Sequence, residues 1–312
     1  MKKILIRLAV TILILAIAAY LIYPVAVRQI AAARDDRIIQ KYHSRVGKMT
    51  TETIRLQLDS AATYNESLPE LHPEKLFSGR DVMTVHLYEA PLNTGDGLVG
   101  VLTIPGIRLR LPVYHESAEN KTTEKLVHIQ GSSLPADTAG IHTVLAGPGL
   151  LPEKGFAGSI GLTGERMLQD ADRLTPGDLM ILNVLDRTLV YQIEWVQTIA
   201  PEGLSKTDLT AGEEDDLLTL VTEHGERLLM IRGRRIPAAE AVSAIRETDQ
   251  GKPLPDWLSI LILGSPVILL GLIIMTVTER IKRRSYRLPV EWTETEPATE
   301  TTKKEGEKEH ET

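Results

Sequence analysis

Apolar positions along the chain fall into three kinds of pattern. The first is unbroken. Residues 4–27, ILIRLAVTILILAIAAYLIYPVAV, and residues 257–278, WLSILILGSPVILLGLIIMTVT, are each long runs with almost no charge. A helix needs roughly 20 such residues to cross a bilayer. The second pattern is helical. Residues 29–68 favour helix, and Ile54, Leu58, Ala61 and Ala62 recur at the spacing of one helix face. A loop is expected around Pro69 to Arg80.

The third pattern begins at Gly97 and predicts strands. GLVGVLTIPGIRLRLPVYH is short, apolar and β-branched, with breaks expected at Pro105 and Pro112. KLVHIQGSSLP, IHTVLAGPG, DLMILNVLDRTLVYQIEWVQTI, LLTLVT and RLLMIRGRRI continue it. Leu185-Asp186-Arg187-Thr188 reads as one hairpin link, and Glu223-His224-Gly225-Glu226 as another. TGERMLQDADRL predicts a short helix between strands, and residues 237–250 another after them. Many short strands with few helices imply a mostly-β barrel or sandwich.

Charge gives the long runs a direction. Lys2, Lys3 and Arg7 lie at the start of the first, and Arg280, Lys282, Arg283, Arg284 and Arg287 follow the second. The positive-inside rule then puts both termini in the cytoplasm and residues of about 28 to 256 on the outer face. The first run exceeds the ~7–15 residues of a signal-peptide core, and no small-x-small site follows before Arg28, so an uncleaved anchor is expected. Trp257 is placed as an interfacial anchor, and Pro266 is compatible with a membrane helix. The tail from Val290 is charged and low in complexity, which predicts disorder.

Composition narrows the chemistry. The 312 residues carry a net charge of -7 and no cysteine. A disulfide framework, a thiolate metal site and a cysteine nucleophile are therefore excluded. The acidity, with no basic stripe among aromatics, argues against nucleic-acid binding.

Several segments, in order, resemble the class C (pilin-polymerising) sortases of Gram-positive bacteria. They are YNESL at 64–68, GLVGVLTIPGIRLRLPVYHESAE at 97–119, HIQGSSLPADTAGIHTVLAG at 128–147, DADRLTPGDLMILNVLDRTLVYQI at 170–193, and LLTLVT with RLLMIRGRRI at 217–236. Two flanking anchors fit the same family. The resemblance implies a closed sortase β-barrel of about eight strands, preceded by an N-terminal helical region. It divides the chain into an anchor at 1–27, a helical and lid-like region at 28–95, the barrel at 96–238, a linker at 239–256, a second transmembrane helix at 257–278 and a cytoplasmic tail at 279–312. The family's lid motif has its nearest match at His72–Glu74, with Phe77 the nearest aromatic.

The resemblance also implies an activity. Sortases are cysteine transpeptidases acting on LPxTG-type sorting signals, with a His for proton transfer and an Arg that stabilises the oxyanion or positions the peptide. The family's Cys follows a TLVT-like strand, and here Glu223 occupies that position. The family's His falls on Pro148, while His142 matches an earlier, non-catalytic His. Arg227 matches the family's Arg. The family has a longer loop before its Arg, whereas here only four residues separate Thr222 from Arg227. Thr222, His142, Ser132 and Ser133 are expected near the peptide groove. No cofactor or metal is implied. The expected function is a transpeptidase-inactive, membrane-anchored binding or scaffolding module in pilus or surface-protein assembly. Its expected partners are a sorting signal or pilin subunit, an active sortase and the lipid bilayer.

Three rival chemistries remain on the residues themselves. An active transpeptidase or hydrolase could use replaced groups, such as Ser132, Ser133 or Thr222 as nucleophile, or Glu223 and Glu226 as an acid/base pair. His115, His128 and His142 could converge on zinc. The plain alternative for the glutamates is a solvated turn, with weak pairing to Arg227 or Arg232. His43, His86 and His310 read as surface or helix residues.

Overall fold

The structure is a computed structural model, and it describes residues 2–68, 85–117, 120–149, 167–200, 212, 214–237, 239–243, 271 and 280. The chain divides into two units, Met1–Ile262 and Leu263–Thr312; of the second, only Gly271 and Arg280 are described. The expected loop at 69–80 with its lid motif, the second apolar run apart from Gly271, and the tail lie outside the described residues.

Eight strands close into a barrel: β1 (Leu98–Ile104), β2 (Leu109–His115), β3 (Leu126–His128), β4 (Ile141–Gly147), β5 (Leu179–Val184), β6 (Arg187–Ile199), β7 (Asp216–His224) and β8 (Arg227–Arg235). Their order around the wall is β1-β2-β3-β4-β7-β8-β6-β5. Two neighbours, β2·β3 and β4·β7, are parallel; the rest are antiparallel. The break expected at Pro105 is real: Pro105–Ile107 form a 3-10 turn, closed by Arg108 at φ 51. Pro112 does not interrupt β2. It faces Val101 one residue before pairing with β3 begins at Val113, so its missing N–H costs no bond there. The short helix expected near 163–174 is described only as a 3-10 turn, Gln169–Arg173, and that expected over 237–250 as a helical turn at 239–243.

Alternation along each strand sorts the apolar side chains into two sets. Leu102, Leu111, Leu126, Leu145, Leu182, Leu218, Leu220, Leu229 and Ile231 fill the barrel interior. Val101, Tyr114, Val127, Val144, Val221 and Met230 lie on the outer wall in a cluster that includes Ile39 and Tyr42.

Those last two residues belong to α1 (Lys2–Val46), a single 45-residue helix that contains the first apolar run. Among the described residues, no helix is long and apolar enough to cross a membrane. Tyr42 is fully buried and fastens α1 to the barrel: its hydroxyl donates to the Val99 carbonyl at 3.3 Å and accepts from the Leu185 N–H at 2.7 Å. The Leu185 N–H needs that partner because it is buried in the β5–β6 turn, where Leu185 sits at φ 50.

After a short link, Thr50 caps α2 (Thr51–Glu66), its hydroxyl accepting from the Thr53 N–H. Ile54, Leu58 and Ala61 do face the core, joined by Tyr64. The YNESL segment acts as a clamp. Asn65 bonds both the N–H and the carbonyl of Leu134, at 2.7 and 2.9 Å, and the Tyr64 hydroxyl accepts from the Gly131 N–H at 3.0 Å. A short helix, α3 (Val85–Glu89), then buries Tyr88 completely against the same region.

Candidate functional site

The parallel pairing of β4 with β7 runs in register from Ile141↔Asp216 to Gly147↔Thr222. The next residues along the two chains are Pro148 and Glu223, so the positions expected to replace the family's His and Cys come side by side where β4 ends, while β7 runs on to His224. The approach is close. A Cβ on Gly149 would stand 2.5 Å from the Glu223 carbonyl oxygen, which leaves room only for glycine. Pro148 is buried there, and Glu223 is exposed.

Beyond Glu223 the chain reverses at once. His224 pairs with Arg227, leaving a two-residue turn of Gly225 and Glu226 in place of the four-residue link expected from the sequence. Gly225 has φ 64, and Glu226 is not among the positive-φ residues, as a type II′ hairpin requires. The partner of Glu223 across the hairpin is Leu228, not Arg227. Leu228 packs with the outer-wall cluster beside Val221 and Met230, whereas Leu229 belongs to the interior. Glu223 and Leu228 thus share the outer face, and His224 and Arg227 continue the inner one. Arg227, Glu223, His224 and Glu226 are all exposed. No ion pair among the described residues links these glutamates to Arg227 or Arg232. Arg232 instead pairs with Glu194 at 3.3 Å and lies 4.8 Å from the centre of the Trp195 ring.

The residues expected near a groove are mostly interior. Thr222 is buried, and its hydroxyl has no hydrogen-bond partner among the described residues. His142 is buried on the outer wall, its Nε2 2.7 Å from the Thr219 hydroxyl. Ser133 is half-buried and bridges backbone to backbone, its N–H donating to the His142 carbonyl and its hydroxyl accepting from the His142 N–H. Ser132 is fully buried; its hydroxyl donates to the Ile129 carbonyl at 2.8 Å and accepts from the Val144 N–H at 3.2 Å.

Ser132 also lies 3.2 Å from Nε2 of His128, a nucleophile–base distance. The chemistry is closed off, however. The Ser132 proton is committed to Ile129, and both side chains are sealed from solvent. The Ser133 carbonyl, 2.9 Å from Nε2, calls for a proton on that nitrogen, which leaves Nδ1 unprotonated 3.1 Å from the Tyr88 hydroxyl, whose own proton goes to the His128 carbonyl. Burial drives the His128 pKa down to about 3, against a smaller upward pull from the Ser133 carbonyl. His115, held by the Pro91 carbonyl at 2.8 Å, is likewise lowered to about 4 by burial. These two histidines lie together on the interior face, their ring centres 6.5 Å apart, while His142 lies on the opposite wall face. The three do not converge, and no group that could hold a metal ion occurs among the described residues.

A second polar cluster, not anticipated from the sequence, sits at the other ends of β7 and β8. Asp216 accepts from the Tyr191 hydroxyl at 2.9 Å and from Arg235 at 3.2 Å; Arg235 also reaches Asp137 at 3.0 Å. Burial raises the Asp216 pKa to about 6, overriding both donors. The cluster borders an open cavity of about 370 Å³, also lined by Glu214 and Arg234. Its sequence signal was the DD–RR pairing of Asp215–Asp216 with Arg234–Arg235, legible only once β7 and β8 are known to pair.

Residues 102–230 match the sortase domain family. Sortase C1 of Streptococcus agalactiae is similar in structure, with 28% identity, 64% of this chain and 98% of that one covered, and a TM-score of 0.52. Sortase C-1 of Actinomyces oris shares 26% identity over 59% of this chain and 99% of its own, with a TM-score of 0.50. Sortase C of Streptococcus pneumoniae shares the fold, with 22% identity, 64% and 97% coverage, and a TM-score of 0.53. No curated protein matches the chain.

Proposed function

We propose that this chain is a sortase-family protein, related to the pilin sortases, that lacks transpeptidase activity and binds or scaffolds at the Gram-positive cell envelope; the sortase-domain match over residues 102–230 and the likeness to sortase C1 support the family reading. The observation that carries the reading is the adjacency of Glu223 and Pro148 at the ends of β7 and β4. A thiolate attacks the peptide carbonyl carbon, the C–N bond breaks, the amine leaves with a proton from a carrier beside it, and a thioester acyl-enzyme remains; that requires a polarisable, deprotonated sulfur and that proton carrier. A carboxylate is a poor acyl acceptor, and proline carries no proton. The chain has no cysteine elsewhere to take over.

The closed eight-strand barrel supports a reading in which the protein still receives an LPxTG-type signal or a pilin tail without the reaction. In this reading the runs at 4–27 and 257–278 span the membrane, both termini are cytoplasmic, and the barrel stands on the outer face. The partners are a pilin subunit or its sorting signal, or an active sortase working beside this one.

The test is direct. The full-length chain, in mild detergent, is incubated with a fluorogenic LPxTG peptide and with pilin C-terminal peptides. Cleavage at the buffer rate with measurable binding is expected. Turnover that Glu223→Gln abolishes would establish an enzyme with replaced chemistry instead. Absence of binding to pilin peptides and to partner sortases would overturn the scaffold role.

A further inference from the structure

The retained arginine is on the wrong face. Along β7, Leu218 and Leu220 point into the barrel, and Val221 points to the outer wall. Glu223, two residues beyond Val221, therefore lies on the outer face. Pro148 follows Val144 and Ala146 of β4 onto the same face. On β8 the outer positions are Leu228 and Met230, and the inner ones are Leu229 and Ile231. Arg227 is of the inner set, paired with His224 beyond the barrel mouth. The two-residue turn fixes this phase, because adding or removing one residue would exchange the faces of every side chain that follows.

We infer that Leu228, not Arg227, is the residue of β8 that faces the pair Pro148 and Glu223, so this corner presents no cation from the hairpin. It rests on the reading of 148 and 223 as replaced reaction positions and goes further: the hairpin has lost the charge as well as the nucleophile. Arg227 is a solvent-facing residue of the hairpin's other side. Among the described residues, the corner presents one exposed carboxylate, Glu223, beside the half-buried Leu228 and over the buried Pro148.

The absence of cysteine makes a clean probe possible. Glu223→Cys places a single thiol in the full-length chain, and the pH dependence of its alkylation by iodoacetamide reports the charges around it. A cation beside a thiol increases its thiolate fraction. Adding Leu228→Arg should raise the alkylation rate at pH 7 about five- to ten-fold, with Leu228→Gln as the uncharged control for lost packing. Adding Arg227→Ala should leave the rate within about twofold. A large fall with Arg227→Ala would overturn the inference. So would an unchanged rate with Leu228→Arg in a chain whose melting matches that of Leu228→Gln. If Leu228→Arg does not fold, Arg227→Ala and Arg227→Glu still decide. Because the readout is alkylation, failure here leaves the peptide-cleavage test of inactivity untouched.

Discussion

Acid should loosen this barrel through its buried imidazoles. His115 and His128 are held neutral, with pKa values near 4 and 3, against 6.5 for an exposed histidine. Between those limits the unfolded chain binds protons that the folded chain refuses, so stability falls as pH falls and is flat above about 6.5. Each histidine costs about 1.4 kcal/mol per pH unit, or about 2 kcal/mol between pH 6.5 and 5. Asp216 acts in the opposite sense. Its folded pKa of about 6 exceeds the usual 3.8, so lowering the pH from 6 to 5 returns about 1.4 kcal/mol. Burial raises Glu116 as well, adding to that opposition. The net loss from pH 6.5 to 5 is thus about 2–2.5 kcal/mol. At roughly 2–4 °C per kcal/mol, the melting temperature should drop by about 4–10 °C. Circular-dichroism melts of the full chain at pH 7.5, 6.5, 5.5 and 5.0 read this directly. His115→Gln should remove about half of the histidine contribution to the slope, whatever it does to stability at pH 7.5. A flat profile, or a slope that His115→Gln leaves intact, would refute the assignment of neutral, water-excluded imidazoles.

Gly149→Ala should cost about 1–3 kcal/mol and speed hydrogen exchange in the 220–228 hairpin, because the new methyl meets the Glu223 carbonyl at 2.5 Å; wild-type exchange there would count against the close approach. Asn65→Ala strips partners from both backbone groups of Leu134. A loss of about 2 kcal/mol is expected, with exchange rising at 131–134 before the rest of the barrel. Tyr42→Phe removes the acceptor of the buried Leu185 N–H. It should cost about 1–2 kcal/mol and expose α1 to proteolysis near residues 38–46, while Tyr20→Phe, on an exposed ring, should do neither.

The strands were legible because their apolar residues alternate or run together between turn residues. The closed barrel followed from the ordered segments at 97–119, 128–147, 170–193 and 217–236, and all eight strands fall within reach of them. The hairpin was legible in outline, but its phase was not. Sequence alone places Arg227 next to the strand start and suggests that it serves position 223; only the two-residue turn shows that Leu228 stands opposite. Their place in family segments puts Ser132 and His142 near the groove on sequence alone. Their burial depends on strands and helices distant in sequence: β4 supplies the Val144 N–H to Ser132, β7 supplies Thr219 to His142, and α2 clamps the loop between them. Asp216 and Arg235 escaped notice for the same reason, since nineteen positions separate partners that the β7–β8 register brings within 3.2 Å.

The helix α1 is unbroken between the apolar run ending at Val27 and the docking residues Ile39 and Tyr42. Twelve residues of helix rise about 18 Å. On the proposed membrane placement this stretch is a spacer of set length and set phase, and the barrel cannot choose its height or heading above the lipid independently of it. Each residue inserted between 28 and 38 would lift the barrel by about 1.5 Å and swing the Glu223 corner through about 100°. A partner fixed in the same membrane would then meet a different side of the barrel, although not one atom of the corner itself had changed.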